Sequence, residues 1–241
     1  MYNLLSAIQF LTILPVGKPG LFKPDKMIPF FPIVGIIAGL MLAVFDQIAL
    51  LIWTPPVVAV LDVIFLVIIT GAFHIDGLGD AADGLLGHRS KESALAIMKD
   101  SRIGVMGLVA ILCVLAMKTC GILEINVQKS LLLVIIPAYA RAGTLFGIKF
   151  LKYGRSQGGT AHALFGTRLK ISDFWGLLVP IILSLFLGLR GIRLIIIFFF
   201  LTFIILLYYH KRMGCITGDM LGAITEIEEA LLFLLFSVGG M

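Results

Sequence analysis

Apolar runs near 30–53, 57–74, 103–123, 131–150, 174–189, 193–209 and 219–238 leave little of this 241-residue chain to face water. A helix crosses a bilayer with about 20 mostly apolar residues, so each run is a candidate span. Apolar residues make up 60% of the chain and charged ones 14%, against about 25% charged in a soluble domain. A soluble monomer is excluded, and with 18 Phe in the chain so is a disordered one. The expected fold is all-α: one polytopic membrane domain over residues 1–241 with about seven transmembrane helices. Residues 2–16 are apolar but short and end at Pro15, which fits a short N-terminal interfacial or re-entrant helix. They carry no basic leader and no small-residue cleavage site, so they are read as part of the mature chain. Cys113, Cys120 and Cys215 have no CxxC spacing and are read as packing residues.

With alternate loops placed on the same side, 14 Lys and Arg fall in loops 17–29, 75–102, 149–173 and 210–217, and three (Lys129, Arg190, Arg193) fall on the other side. That asymmetry puts the first set in the cytoplasm. The net charge of +5 is then a consequence of membrane orientation rather than a sign of nucleic-acid binding. Every polar cluster of chemical interest shares this one face, and no internal repeat is visible. A carrier needs midplane ionisable groups and access from both faces, whereas an enzyme acting on cytoplasmic substrates needs only one.

HIDGLGDAADGLLGHRS, residues 74–90, carries the densest chemistry. At about 100° per residue, Asp76, Asp80 and Asp83 fall within an arc of about 60° on a helix. Three carboxylates facing one point repel one another unless a cation neutralises them. Oxygen-only donors suit a hard ion, and Mg²⁺ takes one or two carboxylates together with water and substrate phosphate. Gly77, Gly79, Gly84 and Gly87 weaken such a helix, so a ligand or a neighbouring helix is expected to approach closely there.

In IMKDSRIG, residues 97–104, Lys99, Asp100, Ser101 and Arg102 form a phosphate-binding candidate. Asp100 and Ser101 are also candidate caps for the helix that begins near Ile103. YGRSQGGTAH, residues 153–162, has the glycines and hydroxyls that let backbone N–H groups reach an anion, though a surface loop reads the same way. Arg141 lies inside an apolar run and is expected to be functional or paired with a carboxylate. In TGDMLGAITEIEEA, Asp219 and Glu226 share a helix face, while Glu228 and Glu229 point elsewhere. Asp46 and Asp62, inside earlier spans, are expected to pair with Lys118 or Arg141.

FLTILP at 10–15, FPIVG at 31–35, FHIDGLGDAADGL at 73–85, IMKDSRIG at 97–104 and TGDMLGA at 217–223 resemble, in order and spacing, the blocks of the cobalamin synthase family, the adenosylcobinamide-GDP ribazoletransferases. The chain departs from the family pattern at Ile13, at Ser156–Gly159 and at Gly214–Cys215. The resemblance implies a Mg²⁺-dependent phosphoryl transfer that joins adenosylcobinamide-GDP to α-ribazole or its 5′-phosphate and releases GMP. By it, Asp76, Asp80 and Asp83 hold the metal on the diphosphate, Asp219 completes the site, Lys99 and Arg102 stabilise charge on the leaving GMP, and Asp100 beside them is counted with the catalytic residues. Ser101, Arg141, His74 and Thr217 become candidate substrate contacts. The general base is an aspartate or His74, which a helix places opposite the aspartate face. The implied partners are these small molecules and the lipid bilayer, with no nucleic acid. A homo-oligomer or an association with other cobalamin-assembly enzymes is left open, and the implied place is the prokaryotic cytoplasmic (inner) membrane with the site facing the cytoplasm. Two rival readings stand beside it. A CDP-alcohol phosphotransferase would need a DGxxAR spacing that is absent, and an ion-coupled transporter would use Asp46, Asp62 and Arg141 as a path.

Overall fold

A computed structural model describes residues 2–17, 24–155, 161–166 and 168–238. After α1 (Tyr2–Leu11) and the single turn α2 (Pro24–Met27), the chain forms α3 (Phe31–Ala49), α4 (Pro55–Ile69), α5 (Phe73–Leu85), α6 (Lys91–Ile97) and α7 (Val105–Glu124). It continues through α8 (Lys129–Phe150), α9 (Leu178–Leu185), α10 (Leu189–Met213) and α11 (Gly218–Ser237). Among the described residues the sole strand-like feature is one parallel bridge between Tyr153 and Ile216. The all-α reading therefore holds, and α1, at about 15 Å, is too short to cross.

The expected seven spans exceed what length and composition support. Among the described residues four helices suffice by themselves, Ile28–Ala49, Val105–Glu124, Lys129–Phe150 and Leu189–Met213, and the bent pair α4–α5 makes a fifth if it counts as one span. The run at 57–74 is broken because Gly71 and Ala72 both take left-handed backbone, with φ of 60° and 59°, and α5 departs from α4 at 90°. Ala72 has a Cβ to accommodate there, which costs about 1–2 kcal/mol. The run at 174–189 is split between a 3₁₀ segment, Ile171–Leu177, and the eight-residue α9. Helix α11 has the length, 20 residues, but carries Asp219, Glu226, Glu228 and Glu229 and is buried along most of its faces.

The helices sort into core and shell. The apolar stretch of α8 is 89% buried, whereas those of α7 and α10 are only 28% buried and turn their remaining surface to lipid. Small residues let α3 lie directly on α8: a Cβ on Gly35 would sit 2.4 Å from the Ala138 Cα, and one on Gly39 would sit 2.5 Å from the Val134 carbonyl. Pro137, inside α8, has no N–H for the Leu133 carbonyl, and Gly39 packs against that same carbonyl.

Charged side chains cross-link this interior, with partners that differ from those expected. Lys118 Nζ lies 2.6 Å from Glu226 and 3.6 Å from Glu229, and Arg141 lies 2.9 Å from Glu229. Asp46 pairs with Lys129, which is also 4.0 Å from Asp62. The expected pairing of Asp46 and Asp62 with Lys118 or Arg141 is thus replaced. Asp46 sits near the end of α3 and Asp62 at the middle of α4, both within reach of Lys129 at the start of α8, and α11 supplies nearer carboxylates to the two cations.

Candidate active site

Three separate stretches meet at the opposite end of the bundle. The segment after α8 pairs with the one before α11: Ile216 N–H donates to the Lys152 carbonyl and Gly154 N–H to the Ile216 carbonyl, both at 2.9 Å. This pairing carries Arg155 over the start of α11. There its guanidinium donates to Asp219 at 2.6 Å and to the Met98 carbonyl at 2.9 Å, tying in the α6–α7 connection. Thr217 caps α11, accepting from Met220 N–H at 3.3 Å, and its hydroxyl lies 3.1 Å from Asp219. Helix α5 packs alongside because Gly77 and Gly222 face the neighbouring backbone. A Cβ on Gly77 would be 2.9 Å from the Asp219 carbonyl, and one on Gly222 would be 3.2 Å from that of His74. Gly77, Gly79 and Gly84 of the aspartate block therefore serve contact with neighbouring elements, while Gly87 meets only Arg89.

Asp76, Asp219, Tyr153 and Arg155 line the resulting cleft, which at about 40 Å³ has room for an ion or a water. Asp80, half-buried, feels the repulsion of Asp76, Asp219 and Asp83 and the attraction of Arg155. Burial holds the Tyr153 phenol above its ordinary range. Asp76, Asp80 and Asp219 against Arg155 leave two negative charges in excess, and their donors are all hard oxygens. Among the described residues no three His, Cys, Asp or Glu side chains are already gathered around one point. Mg²⁺ needs fewer protein ligands than that when water and phosphate complete its shell, so the donor set fits such an ion.

Asp83 has a different task. Its carboxylate accepts from Gly104 N–H at 2.6 Å and from Gly107 N–H at 2.8 Å, capping α7 from a neighbouring helix. Gly104, at the N-cap, offers no side chain, and a Cβ there would lie 2.4 Å from Asp83. The expectation that Asp100 or Ser101 caps this helix is corrected: α7 begins at Val105, beyond their reach, and Asp100 instead binds Arg102. That pair is exposed and forked, with Nε at 3.1 Å and NH2 at 2.6 Å, and it holds the Asp100 carboxyl down to about 2. Lys99 and Ser101 are exposed beside it.

Of the residues singled out from the sequence, the structure thus gathers Asp76, Asp80, Asp219 and Thr217. It leaves Lys99, Asp100, Ser101 and Arg102 outside the cleft lining, one to four residues beyond Met98, whose carbonyl Arg155 binds. His74 and Arg141, each 2% exposed, lie in the interior outside the cleft. The charges that act on His74 are those of Arg141 and Lys118. Glu226 is bound by Lys118 and does not join Asp219 in a second acidic face. Sequence reasoning missed the central part of Arg155. Its only signal was an Arg in a polar loop of the same face, and residues 156–160 of the anion-loop candidate lie outside the described residues.

Comparison with known proteins adds to this geometry. The model of a family described as CobS, cobalamin-5-phosphate synthase, matches residues 3–237. A curated relative from Alkaliphilus metalliredigens named adenosylcobinamide-GDP ribazoletransferase is 34% identical over 99% of this chain and 97% of its own length. Relatives of the same name from Geotalea daltonii and Acetivibrio thermocellus are 32% and 31% identical, each over 97% of this chain and 96% of their own length. No solved structure matches the chain.

Proposed function

The chain belongs to the cobalamin-5-phosphate synthase family, and from that premise we propose that the cleft between α5 and α11 transfers the cobinamide phosphate of adenosylcobinamide-GDP to α-ribazole or its 5′-phosphate. The chain is a multi-pass membrane enzyme, a transferase of cobalamin biosynthesis. A ribose hydroxyl of the acceptor forms the new bond to the cobinamide-side phosphorus, the diphosphate P–O bond breaks, and GMP leaves with its electrons. The hydroxyl proton passes to a carboxylate of the cleft, because His74 is buried and does not line it.

The observation that carries this reading is the excess of two negative charges on Asp76, Asp80 and Asp219 beside one Arg. Asp76 and Asp219, which line the cleft, would hold Mg²⁺ with the charge of Asp80 beside them, and Asp83 is committed to α7. Bound there, the ion would neutralise phosphate oxygens as charge develops on them. Arg155 orients Asp219 and presents its charge to the diphosphate. Lys99 and Arg102, just beyond Met98, serve the leaving GMP once Arg102 exchanges Asp100 for phosphate, which its planar fork permits. The Lys and Arg asymmetry between loops supports a cytoplasmic site in a prokaryotic inner membrane.

The test is GMP release by the protein in lipid nanodiscs with both substrates, in Mg²⁺ or in EDTA. Release is expected to need the metal and to fall by about two orders of magnitude or more in Asp80→Ala, the scale of losing a principal electrostatic group. Metal-independent release, or release untouched in both Asp76→Ala and Asp80→Ala, would remove the metal assignment. No release from the wild type in any condition would remove the reaction.

A further inference from the structure

The acidic cleft shares Tyr153 and Arg155 with a larger and oppositely charged one. This second cleft lies between the end of α8 and residues 162–166 and 168 and measures about 580 Å³, within the range of small-molecule sites. Lys149, Lys152, Arg155, His162 and Arg168 line it, and no carboxylate does among the described residues. Two of these groups are already engaged: Lys149 donates to the Leu169 carbonyl, and Arg155 is held by Asp219. Lys152 and Arg168 are exposed, and no ion pair among the described residues contains either. Tyr153 supplies an aromatic wall, with the His162 and Phe165 rings at 5.4 and 5.0 Å.

Two unneutralised cations beside a cluster of three rings, Tyr153 with His162 edge-on and Phe165 tilted against it, suit a ligand that joins a phosphate to an aromatic base. The nucleotide-like acceptor is such a ligand. Its 5′-phosphate and reacting hydroxyl are separated by a single ribose, as the two clefts are separated by a single shared wall. Building on the function proposed above, we propose that the basic cleft is the acceptor subsite, with Lys152 and Arg168 binding the 5′-phosphate and the Tyr153–Phe165 wall flanking the base. The enzyme then selects the phosphorylated acceptor over free α-ribazole.

Charge-assisted bonds to phosphate are worth enough that losing two weakens binding at least tenfold. The test compares wild type with a Lys152→Ala, Arg168→Ala double variant. Both residues are exposed, so folding does not depend on burying them. In neutral-lipid nanodiscs, the wild-type ratio of kcat/KM for α-ribazole 5′-phosphate over α-ribazole is expected to exceed one. It should fall tenfold or more in the double variant and recover in Lys152→Arg, Arg168→Lys. Equilibrium binding of α-ribazole 5′-phosphate alone should weaken by the same factor.

An unchanged ratio overturns the subsite. So does an equal loss for both acceptors, which would give the cleft to the guanosine nucleotide. A binding loss that appears only in discs of anionic lipid would give it to a headgroup and overturns the proposal too. Wild-type protein that binds the phosphorylated acceptor through these two residues yet releases no GMP would sink the transferase reading and leave the subsite standing.

Discussion

Asp83 and Asp76 are seven residues apart on one helix, yet their surroundings separate their tasks. Asp76 is exposed at the cleft, while Asp83 is 9% exposed and satisfies two N–H groups at the start of α7. A carboxylate at a helix N-terminus is favoured by the hydrogen bonds and by the helix dipole. Asp83→Ala strips both N–H groups of their acceptor in a partly buried place, at a cost of about 1–3 kcal/mol. Thermal unfolding in detergent is therefore expected to shift down clearly for Asp83→Ala, less for Asp83→Asn, and little for Asp76→Ala. The Mg²⁺ concentration that half-activates GMP release should rise for Asp76→Ala. Equal thermal shifts for the two alanine variants would show that the cap is not what Asp83 contributes. Periodicity could place the three aspartates on one arc, but it could not tell which of them a neighbouring helix end would claim, because the claim comes from Gly104 and Gly107, more than twenty residues on.

At the scale of elements, the glycines carry more than their backbone freedom. Gly35 and Gly39, one turn apart on α3, remove the side chains that would keep α3 off α8, in the manner of small-residue contacts between membrane helices. Gly39→Leu would drive a branched side chain into the Val134 and Leu133 carbonyls, and overpacking of that kind costs about 1–3 kcal/mol. The variant is expected to unfold at lower denaturant concentration than Leu40→Ala, a change at an exposed neighbour, and a smaller effect for Gly39→Leu would contradict the contact. Helix identity was legible for the same reason that these contacts exist, since apolar runs with small residues have few other structures open to them in lipid. The number of crossings was not legible. A run such as 57–74 reads as continuous by hydropathy, while its break depends on two left-handed residues, Gly71 and Ala72, held by a turn against Ile13. Arg155 was hidden for a related reason: its place over Asp219 comes from a bridge between residues more than sixty apart.

For the molecule as a whole, one balanced cluster of interior charges joins the helices that bear the site. Lys118 on α7 and Arg141 on α8 meet Glu226 and Glu229 on α11, all at 3% exposure or less, giving two cations and two anions out of water. Glu226 lies two turns below Asp219 on the same helix, so this cluster fixes the depth at which α11 presents Asp219 to α5. Lys118→Met leaves one cation against two buried carboxylates, and breaking a buried pair from one side costs about 3–5 kcal/mol. Lys118→Met with Glu226→Leu restores balance, one cation to one anion, with Arg141 still on Glu229. The single variant is expected to be poorly stable in detergent and the double variant to regain most of the lost midpoint, as replacement of a whole buried pair by apolar groups can be nearly neutral. A double variant no more stable than the single one would mean that packing of the Lys118 stem, rather than charge balance, holds α7 and α11 together. In the stable double variant, GMP release at saturating substrate then reads how far α11 can drift before Asp219 leaves its place beside Arg155.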